Sequence, residues 1–104
     1  MRTVMVRYKV KAEKAAENEN YITRVFEQLK AEQPAGLHYA SFKLEDGVSF
    51  VHISALEGAG ESNPLGELAA FKAFTAQIKE RCEELPVVVE LKQVGSYHFF
   101  DEGE

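Results

Sequence analysis

The chain has 104 residues, of which 45% are hydrophobic and 28% are charged, and its formal net charge is −5. This composition predicts one globular domain over residues 1–100, followed by an acidic tail over residues 101–104. The twelve Lys and Arg residues are scattered, whereas nucleic acids and anionic membranes require clustered cations, so neither is predicted as a partner. The single cysteine, Cys82, excludes an intrachain disulfide and favours a cytoplasmic protein.

The first two predicted elements are a strand and a helix. Apolar side chains occupy every second position of the first segment, which is the period of a strand: Val4, Val6, Tyr8 and Val10. From about Glu13 to Glu32 the apolar positions follow the i, i+3, i+4, i+7 spacing of a helix: Ile22, Val25, Phe26 and Leu29. Pro34 and Gly36 end this helix, because proline breaks the hydrogen-bond ladder and glycine tolerates positive φ.

A hairpin follows. Two β-rich runs, residues 37–45 and 48–56, flank Asp46-Gly47, which favours a tight primed turn. With this turn, the two residue numbers of each opposed pair add up to 93. Ser41 therefore lies opposite His52. One face of the hairpin is then uniformly apolar and is expected beneath the helices: Ala40, Phe42, Leu44, Val51, Ile53 and Ala55. The other face is mixed: Leu37, Tyr39, Ser41, Lys43, Phe50, His52, Ser54 and Leu56.

The second half of the chain predicts a loop, a helix and a strand. The loop covers residues 57–62, and Asn63 then caps a short helical turn that has Pro64 at its first position. A second helix follows, and its inner side is apolar: Leu68, Phe71, Thr75, Ile78 and Cys82. The helix is expected to end before Pro86, and the last strand to run from Val87 to about Tyr97. Cys82 is expected to be a buried filler of the core.

The order β-α-β-β-α-β predicts an α+β fold of the ferredoxin-like, split-βαβ type. In this fold an antiparallel four-stranded sheet carries both helices on one face. The other face then lacks a cover from its own chain. We expect the mixed face, with Tyr39 and His52, to pack against a second copy in a two-fold homodimer. A monomer with a solvated sheet face is the alternative.

Several segments resemble the dimeric α/β-barrel superfamily, and within it the small antibiotic-biosynthesis-monooxygenase-like proteins. They are residues 46–52 (DGVSFVH), Asn63-Pro64-Leu65, the Phe71/Phe74 helix ending near Cys82-Glu83, and residues 94–97 (VGSY). The resemblance covers about residues 2–97. It implies a ferredoxin-like protomer whose sheet packs against that of its partner, with a pocket between sheet and helices.

The resemblance also bears on the reaction. It implies a cofactor-free monooxygenase acting on a small aromatic or quinol-type metabolite. The alternatives are a non-catalytic ligand-binding or structural dimer, and an isomerase or dehydratase of a small carbonyl compound. Haem-degrading members of the superfamily resemble one another in using a histidine on the second helix and a tryptophan in the pocket. Residues 64–85 contain no histidine and the chain has no tryptophan, so a haem cofactor is not predicted.

His52 is the main catalytic candidate, because an imidazole exchanges its proton near neutral pH. We hypothesise that it removes a phenolic or enolic proton from the substrate, so that the resulting anion reacts with O₂. Tyr39 would donate a hydrogen bond to the substrate oxygen. The alternative for both residues is a structural role in the sheet. The candidates for substrate contact are Ser41, Phe50, Ser54 and Arg7, and the sequence leaves the face of Arg7 undecided.

Other kinds of site are poorly supported. The Ser41/His52 pair lacks an acidic partner and a strained nucleophile turn, which argues against a hydrolase. His38 and His52 should lie on opposite faces of the sheet, and no Cys or carboxylate cluster has the spacing of metal ligands. The glycines of residues 58–60 follow a strand without the rest of a phosphate-binding loop. No metal site is predicted.

Overall fold

The computed structural model describes residues 2–57 and 63–99. Of the predicted loop (residues 57–62) only Glu57 is among the described residues. The predicted acidic tail (residues 101–104) lies outside them. The elements in chain order are β1 (Arg2–Val10), a 3-10 turn (Ala12–Lys14), α1 (Ala15–Glu32), β2 (Leu37–Lys43), β3 (Ser49–Leu56), α2 (Pro64–Glu67), α3 (Ala69–Ala76), α4 (Ile78–Arg81) and β4 (Cys82–Leu91). None of the helices in these ranges is long and apolar enough to cross a membrane.

The four strands form one antiparallel sheet in the order β2-β3-β1-β4. The two central strands, β1 and β3, are separated in sequence by α1 and β2, as the split-βαβ topology requires. The buried core combines one face of this sheet with side chains from the helices: Tyr8, Val10, Val25, Phe50, Leu65, Leu68, Phe74 and Cys82. The predicted ferredoxin-like α+β fold is therefore confirmed.

Helix α1 ends as the sequence predicts. Gln33 adopts the left-handed conformation (φ 46°), and its backbone N–H donates to the carbonyl of Leu29. Gly36 also has a positive φ of 77°, which lets the chain reverse direction into β2. The predicted apolar side of the helix faces the core, where Val25 is fully buried. Asn18, on the same side of the helix, is buried too.

The hairpin register is confirmed, but the turn is of a different type. Tyr39 pairs with Ser54, and Ser41 with His52. In a primed type I turn both central residues need a positive φ, yet only Gly47 has one in this turn (80°). The backbone N–H of Gly47 donates to the carbonyl of Leu44, and the Asp46 carboxylate accepts from the backbone N–H groups of Val48 and Ser49. The side chain of Asp46 therefore closes this turn.

The short turn predicted after Asn63 is present as α2, but the second helix is divided into α3 and α4 instead of running unbroken. The Asn63 cap is present: its side-chain oxygen accepts from the backbone N–H of Leu65 at a distance of 3.0 Å. Leu68 then takes an extended conformation, which separates α2 from α3. The first backbone N–H groups of α3 need acceptors, and Gln28 on α1 supplies one by binding the N–H of Ala70 at 2.8 Å. Gln77 separates α3 from α4.

The last strand also differs from the prediction. β4 begins at Cys82 and ends at Leu91, so Pro86 lies inside the strand rather than before it. This is tolerated because β4 is an edge strand and its pairing with β1 shifts register between Arg7 and Lys9. Residues 92–99 are irregular, and Tyr97 is exposed. Cys82 is buried as predicted, although it belongs to the strand and not to a helix.

The predicted sidedness of the sheet is wrong. The mixed face lies beneath the helices, where Phe50 is 1% and His52 is 4% exposed. The uniformly apolar face is the uncovered one over most of its area: Phe42 on it is 45% exposed, whereas Ala55 is buried. The number of apolar residues on each face does not predict which face is buried. The polar groups of the mixed face hydrogen-bond one another, and this removes the cost of burying them. Its aromatic rings then fill the space beneath the helices.

Candidate functional site

A cavity of about 440 Å³ lies between the covered sheet face and helices α2–α4. Most of its lining is aromatic or aliphatic, with Tyr39, Phe71 and Phe74 among the aromatic rings. His52 on β3 and Asn63 at the start of α2 are polar residues in this lining. This volume and character are typical of a site for a small organic molecule.

The structure brings some of the predicted site residues together and separates others. Tyr39, His52 and Ser54 line the cavity. Ser41 is absent from the lining but hydrogen-bonds His52. Phe50 is buried in the core, stacked on the ring of Tyr8 at a centroid distance of 5.6 Å. Arg7 pairs with Val51 and Val87 on the uncovered face, so the structure does not bring it to this cavity.

Both ring nitrogens of His52 are hydrogen-bonded. Nε2 lies 2.7 Å from the hydroxyl of Tyr8. Nδ1 lies 2.6 Å from the hydroxyl of Ser41 and 3.0 Å from that of Tyr39. Strand pairing explains this arrangement, because Ser41 and Val6 flank His52 directly on the two neighbouring strands. The ring is therefore held in place by three hydroxyl groups.

Burial determines the charge of these groups. Desolvation lowers the pKa of His52 to about 4, so the ring is neutral at pH 7. Desolvation also raises the pKa of Tyr39 to about 12, against a smaller opposing effect of its hydrogen bond to Ser41. The pKa of Tyr8 is raised by burial as well. At neutral pH the wall around His52 therefore presents neutral hydroxyl and imidazole groups, and the cation that also lines the cavity is Arg2.

A second layer of polar residues supports Tyr8, and the sequence reasoning missed it. The Nδ2 amide of Asn18 donates to the Tyr8 hydroxyl at 2.9 Å, and Nε of Arg81 donates to Oδ1 of Asn18 at 3.1 Å. Their positions in the sequence could have revealed them, because each lies on the apolar face of a helix. Asn18 precedes Ile22 by four residues, and Arg81 follows Phe74 by seven. A polar residue within an apolar helix face needs a buried partner.

Arg81 is 2% exposed and lies between two aromatic rings. Its guanidinium carbon is 4.5 Å from the centroid of the Tyr21 ring and 5.5 Å from that of Phe74. Nη2 donates to the backbone carbonyl of Phe74 at 2.6 Å, whereas Nη1 has no hydrogen-bond partner in the described part of the chain. None of the ion pairs found within residues 2–57 and 63–99 involves Arg81. This buried cation is thus held by neutral groups.

The aromatic rings of the site form a row across the sheet. Phe50, Tyr8, His52, Tyr39 and Phe26 stack in this order, with successive centroids 5.2–5.9 Å apart. Their planes differ by no more than 20°, which is the geometry of offset stacking. The row makes the wall of the cavity flat and rigid. Within the described ranges, no group of three His, Cys, Asp or Glu side chains is placed to hold a metal ion.

Comparison with known proteins identifies the fold. An antibiotic biosynthesis monooxygenase of known structure superposes with a TM-score of 0.74 at 18% identity, over 91% of this chain and 100% of the other. A Caulobacter crescentus protein, provisionally called an antibiotic biosynthesis monooxygenase, gives 0.67 at 26% identity, over 90% of each chain. A cofactor-independent oxygenase from Streptomyces nogalater gives 0.66 at 16% identity, over 91% and 94% of the two chains. No family profile or curated protein sequence matches.

The chain has an antibiotic-biosynthesis-monooxygenase-like fold. The resemblance drawn from the sequence is confirmed at the level of fold. Within this monooxygenase-like fold, the cavity beside His52 is an apolar chamber with a few hydroxyl groups on one wall. Such a chamber suits a flat ring that carries an oxygen substituent.

Proposed function

We propose that the protein is a cofactor-independent monooxygenase-like enzyme that acts on a small aromatic or quinol-type metabolite. The observation that carries this proposal is the apolar 440 Å³ cavity with the Tyr39 hydroxyl and His52 on its wall. The likeness to the Streptomyces nogalater oxygenase supports the same class of reaction.

The site is suited to stabilising an oxyanion. A phenol of ordinary acidity has a pKa of about 10, whereas burial raises that of Tyr39 to about 12. When a phenolate binds, the proton therefore stays on Tyr39, which donates a hydrogen bond to the anion. Removal of one such donor from a buried site typically slows a reaction by about 10²–10³.

The lowered pKa of His52 changes the role that we assign to it. For an imidazole with a pKa of about 4, accepting a proton from a phenol of pKa about 10 costs roughly 8 kcal/mol. We therefore propose that the substrate hydroxyl loses its proton to solvent. The role of His52 is to hold Ser41 and Tyr39 at the wall of the cavity. The bound anion then reacts with O₂ directly.

The overall reaction balances without a cofactor. For a quinol, one oxygen atom of O₂ adds to a ring carbon, and the other leaves as water with two hydrogen atoms of the substrate. The substrate supplies all the electrons, and the product is a hydroxyquinone. The apolar lining favours this chemistry, because a weakly solvated phenolate is a stronger electron donor than a hydrated one.

The test is O₂ consumption by the purified protein with a panel of quinols, with ¹⁸O₂ used to trace the product. We expect one ¹⁸O atom in the product. Tyr39→Phe should lower kcat by about 10²–10³, and His52→Ala should lower it by no more than this factor, because His52 acts by holding Tyr39 in place. His98→Ala serves as the histidine control, because His98 is exposed in the irregular segment after β4. An unchanged kcat in both Tyr39→Phe and His52→Ala would contradict the proposal.

A second candidate function is ligand binding without catalysis. It is favoured by the occupation of both His52 nitrogens by hydroxyl groups and by the low basicity of the ring. Binding of small aromatics in the cavity without any O₂ consumption would support this candidate over the monooxygenase.

We also propose a homodimer, now through the uncovered face of the sheet. This face carries apolar side chains on all four strands: Phe42, Val51, Ile53, Met5, Val87 and Val89. Val87 and Phe42 are 50% and 45% exposed, although apolar patches of this kind are uncommon on monomers. A second copy would bury them by the same face.

Two adjacent valines on β4 provide the test. Val89 is on the uncovered face beside Met5, and Val88 points to the other side of the sheet beside Val6. Sedimentation should give twice the protomer mass of 11.7 kDa for the wild type. Val89→Glu should raise the dimer dissociation constant at least about 100-fold, because it places a charge among the apolar side chains of the interface. Val88→Glu should leave the dimer intact, and equal effects of the two would argue against this interface.

A further inference from the structure

The described polar groups around His52 form one directed chain of hydrogen bonds that starts at Arg81. The guanidinium of Arg81 carries only donors, so the atom of Asn18 that faces it must be the oxygen. This settles the orientation of the Asn18 amide. Its Nδ2 group then faces the hydroxyl of Tyr8 and donates to it.

The same logic continues through Tyr8. Its hydroxyl oxygen accepts from Asn18, and its single proton must be donated elsewhere. Within the described ranges the available acceptor is Nε2 of His52, 2.7 Å away. If Nε2 accepts, the proton of the neutral imidazole is on Nδ1.

From Nδ1 the chain reaches the wall of the cavity. The Nδ1–H group donates to the hydroxyl oxygens of Ser41 and Tyr39, at 2.6 and 3.0 Å. Ser41 donates its own hydrogen to the Tyr39 oxygen in the hydrogen bond that joins the two hydroxyl groups, so the hydrogen of Tyr39 is left for a ligand. With the opposite tautomer, the single lone pair of Nδ1 would be an acceptor and would compete with the ligand for the Tyr39 hydrogen.

We propose that Arg81 and Asn18 are positioning residues that fix the tautomer of His52 through Tyr8 and so make the cavity wall a hydrogen-bond donor. The site then selects ring compounds that carry an acceptor oxygen, either a carbonyl or a phenolate. This inference rests on the proposed function for the cavity as the ligand site. Its primary readout, the tautomer, is independent of turnover.

The burial of Arg81 is consistent with this role. A guanidinium that is 2% exposed, with Nη1 unpartnered within the described ranges, gains no ion pair to offset its desolvation. A neutral residue of similar shape would fill the same space between the Tyr21 and Phe74 rings. A donor side chain at this position supplies two things that a neutral apolar residue cannot: a hydrogen bond to the carbonyl of Phe74 and the direction of the Asn18 amide.

The test is the isosteric substitution Asn18→Asp. The new carboxylate would stay ionised beside Arg81 and would accept from it, as the amide oxygen does. A carboxylate has no proton to donate, so the Tyr8 hydroxyl must turn and donate to it. Tyr8 would then accept from Nε2–H, and the tautomer of His52 would reverse. Asn20→Asp is the matched control, because Asn20 is exposed two residues further along α1.

The tautomer is read at neutral pH from the ¹⁵N shifts of labelled histidine in long-range ¹H–¹⁵N spectra. We expect Nδ1–H in the wild type and in Asn20→Asp, and Nε2–H in Asn18→Asp. If Asn18→Asp does not fold, Arg81→Met provides the second variant, since it no longer fixes the Asn18 amide and should raise the share of Nε2–H. Nε2–H in the wild type, or Nδ1–H in the folded variants, would overturn the inference.

Ligand selection gives a second readout with two neutral probes of similar shape. Acetophenone carries a carbonyl oxygen, and α-methylstyrene carries a CH₂ group in its place. The wild type should prefer acetophenone, and Asn18→Asp should reduce this preference about 10-fold, which corresponds to one hydrogen bond. An unchanged preference alongside a reversed tautomer would overturn the assignment of ligand class. Failure of the proposed monooxygenase activity alone would leave both readouts unaffected.

Discussion

Arg81→Ala is expected to lower the free energy of unfolding by about 3–5 kcal/mol. The substitution removes two hydrogen bonds and leaves the Oδ1 atom of Asn18 and the carbonyl of Phe74 without these donors in a buried region. It also removes the guanidinium from between the Tyr21 and Phe74 rings and creates a void there. Since a domain of this size has a total stability of about 5–15 kcal/mol, urea denaturation should show a large decrease in midpoint.

Arg24→Ala is the matched control, because Arg24 contacts the same Tyr21 ring at 5.6 Å but is exposed. It should change stability by less than about 1 kcal/mol. Arg81→Met should cost less than Arg81→Ala, since it fills much of the void and removes a desolvated charge. A loss below about 1 kcal/mol for Arg81→Ala would show that the buried hydrogen-bond chain contributes little to folding.

The elements that the sequence predicted correctly are those determined by local rules. The alternation of β1, the apolar face of α1 and the Asn63 cap depend on residues that are close in sequence. The hairpin register also follows from local spacing, although the turn is closed by the Asp46 carboxylate rather than by a primed conformation. Each of these features involves interactions within one element or between neighbouring elements.

The features that the sequence reasoning missed depend on contacts across the fold. The covered face of the sheet was misassigned because Tyr39, Ser41 and His52 were counted as polar, although they hydrogen-bond one another when buried. Asn18 and Arg81 are 63 positions apart, and neither has a recognisable motif. The break of the second helix at Gln77 and the inclusion of Pro86 in β4 likewise follow from packing and edge position.

The site therefore divides into two parts. Tyr39 and His52 were identified as candidates because their residue types suit acid–base and donor chemistry. The residues that extend the hydrogen bonds behind His52 (Tyr8, Asn18 and Arg81) were not, since they depend on partners brought together only by the fold. The electrostatic behaviour of His52 is consequently a property of the whole core, and it should be measurable in the stability of the protein.

The stability of the protein should fall in acid because His52 is buried in its neutral form. Its pKa is about 4 in the folded state, against an ordinary value of 6.5 in the unfolded chain, as a result of desolvation. Above pH 6.5 the residue is neutral in both states and contributes no pH dependence. Below pH 6.5 the unfolded chain binds a proton that the folded chain does not, so the unfolded state is favoured.

The expected loss is about 2 kcal/mol at pH 5 and about 3 kcal/mol at pH 4, and it levels off below pH 4, where the folded state also becomes protonated. Urea unfolding of the wild type and of His52→Gln between pH 4 and pH 8 isolates this effect. All other groups are common to the two proteins, so their contributions cancel in the difference. Parallel curves for the two proteins would mean that His52 keeps an ordinary pKa when folded. That result would contradict the neutral, rigidly held imidazole on which the donor character of the cavity depends.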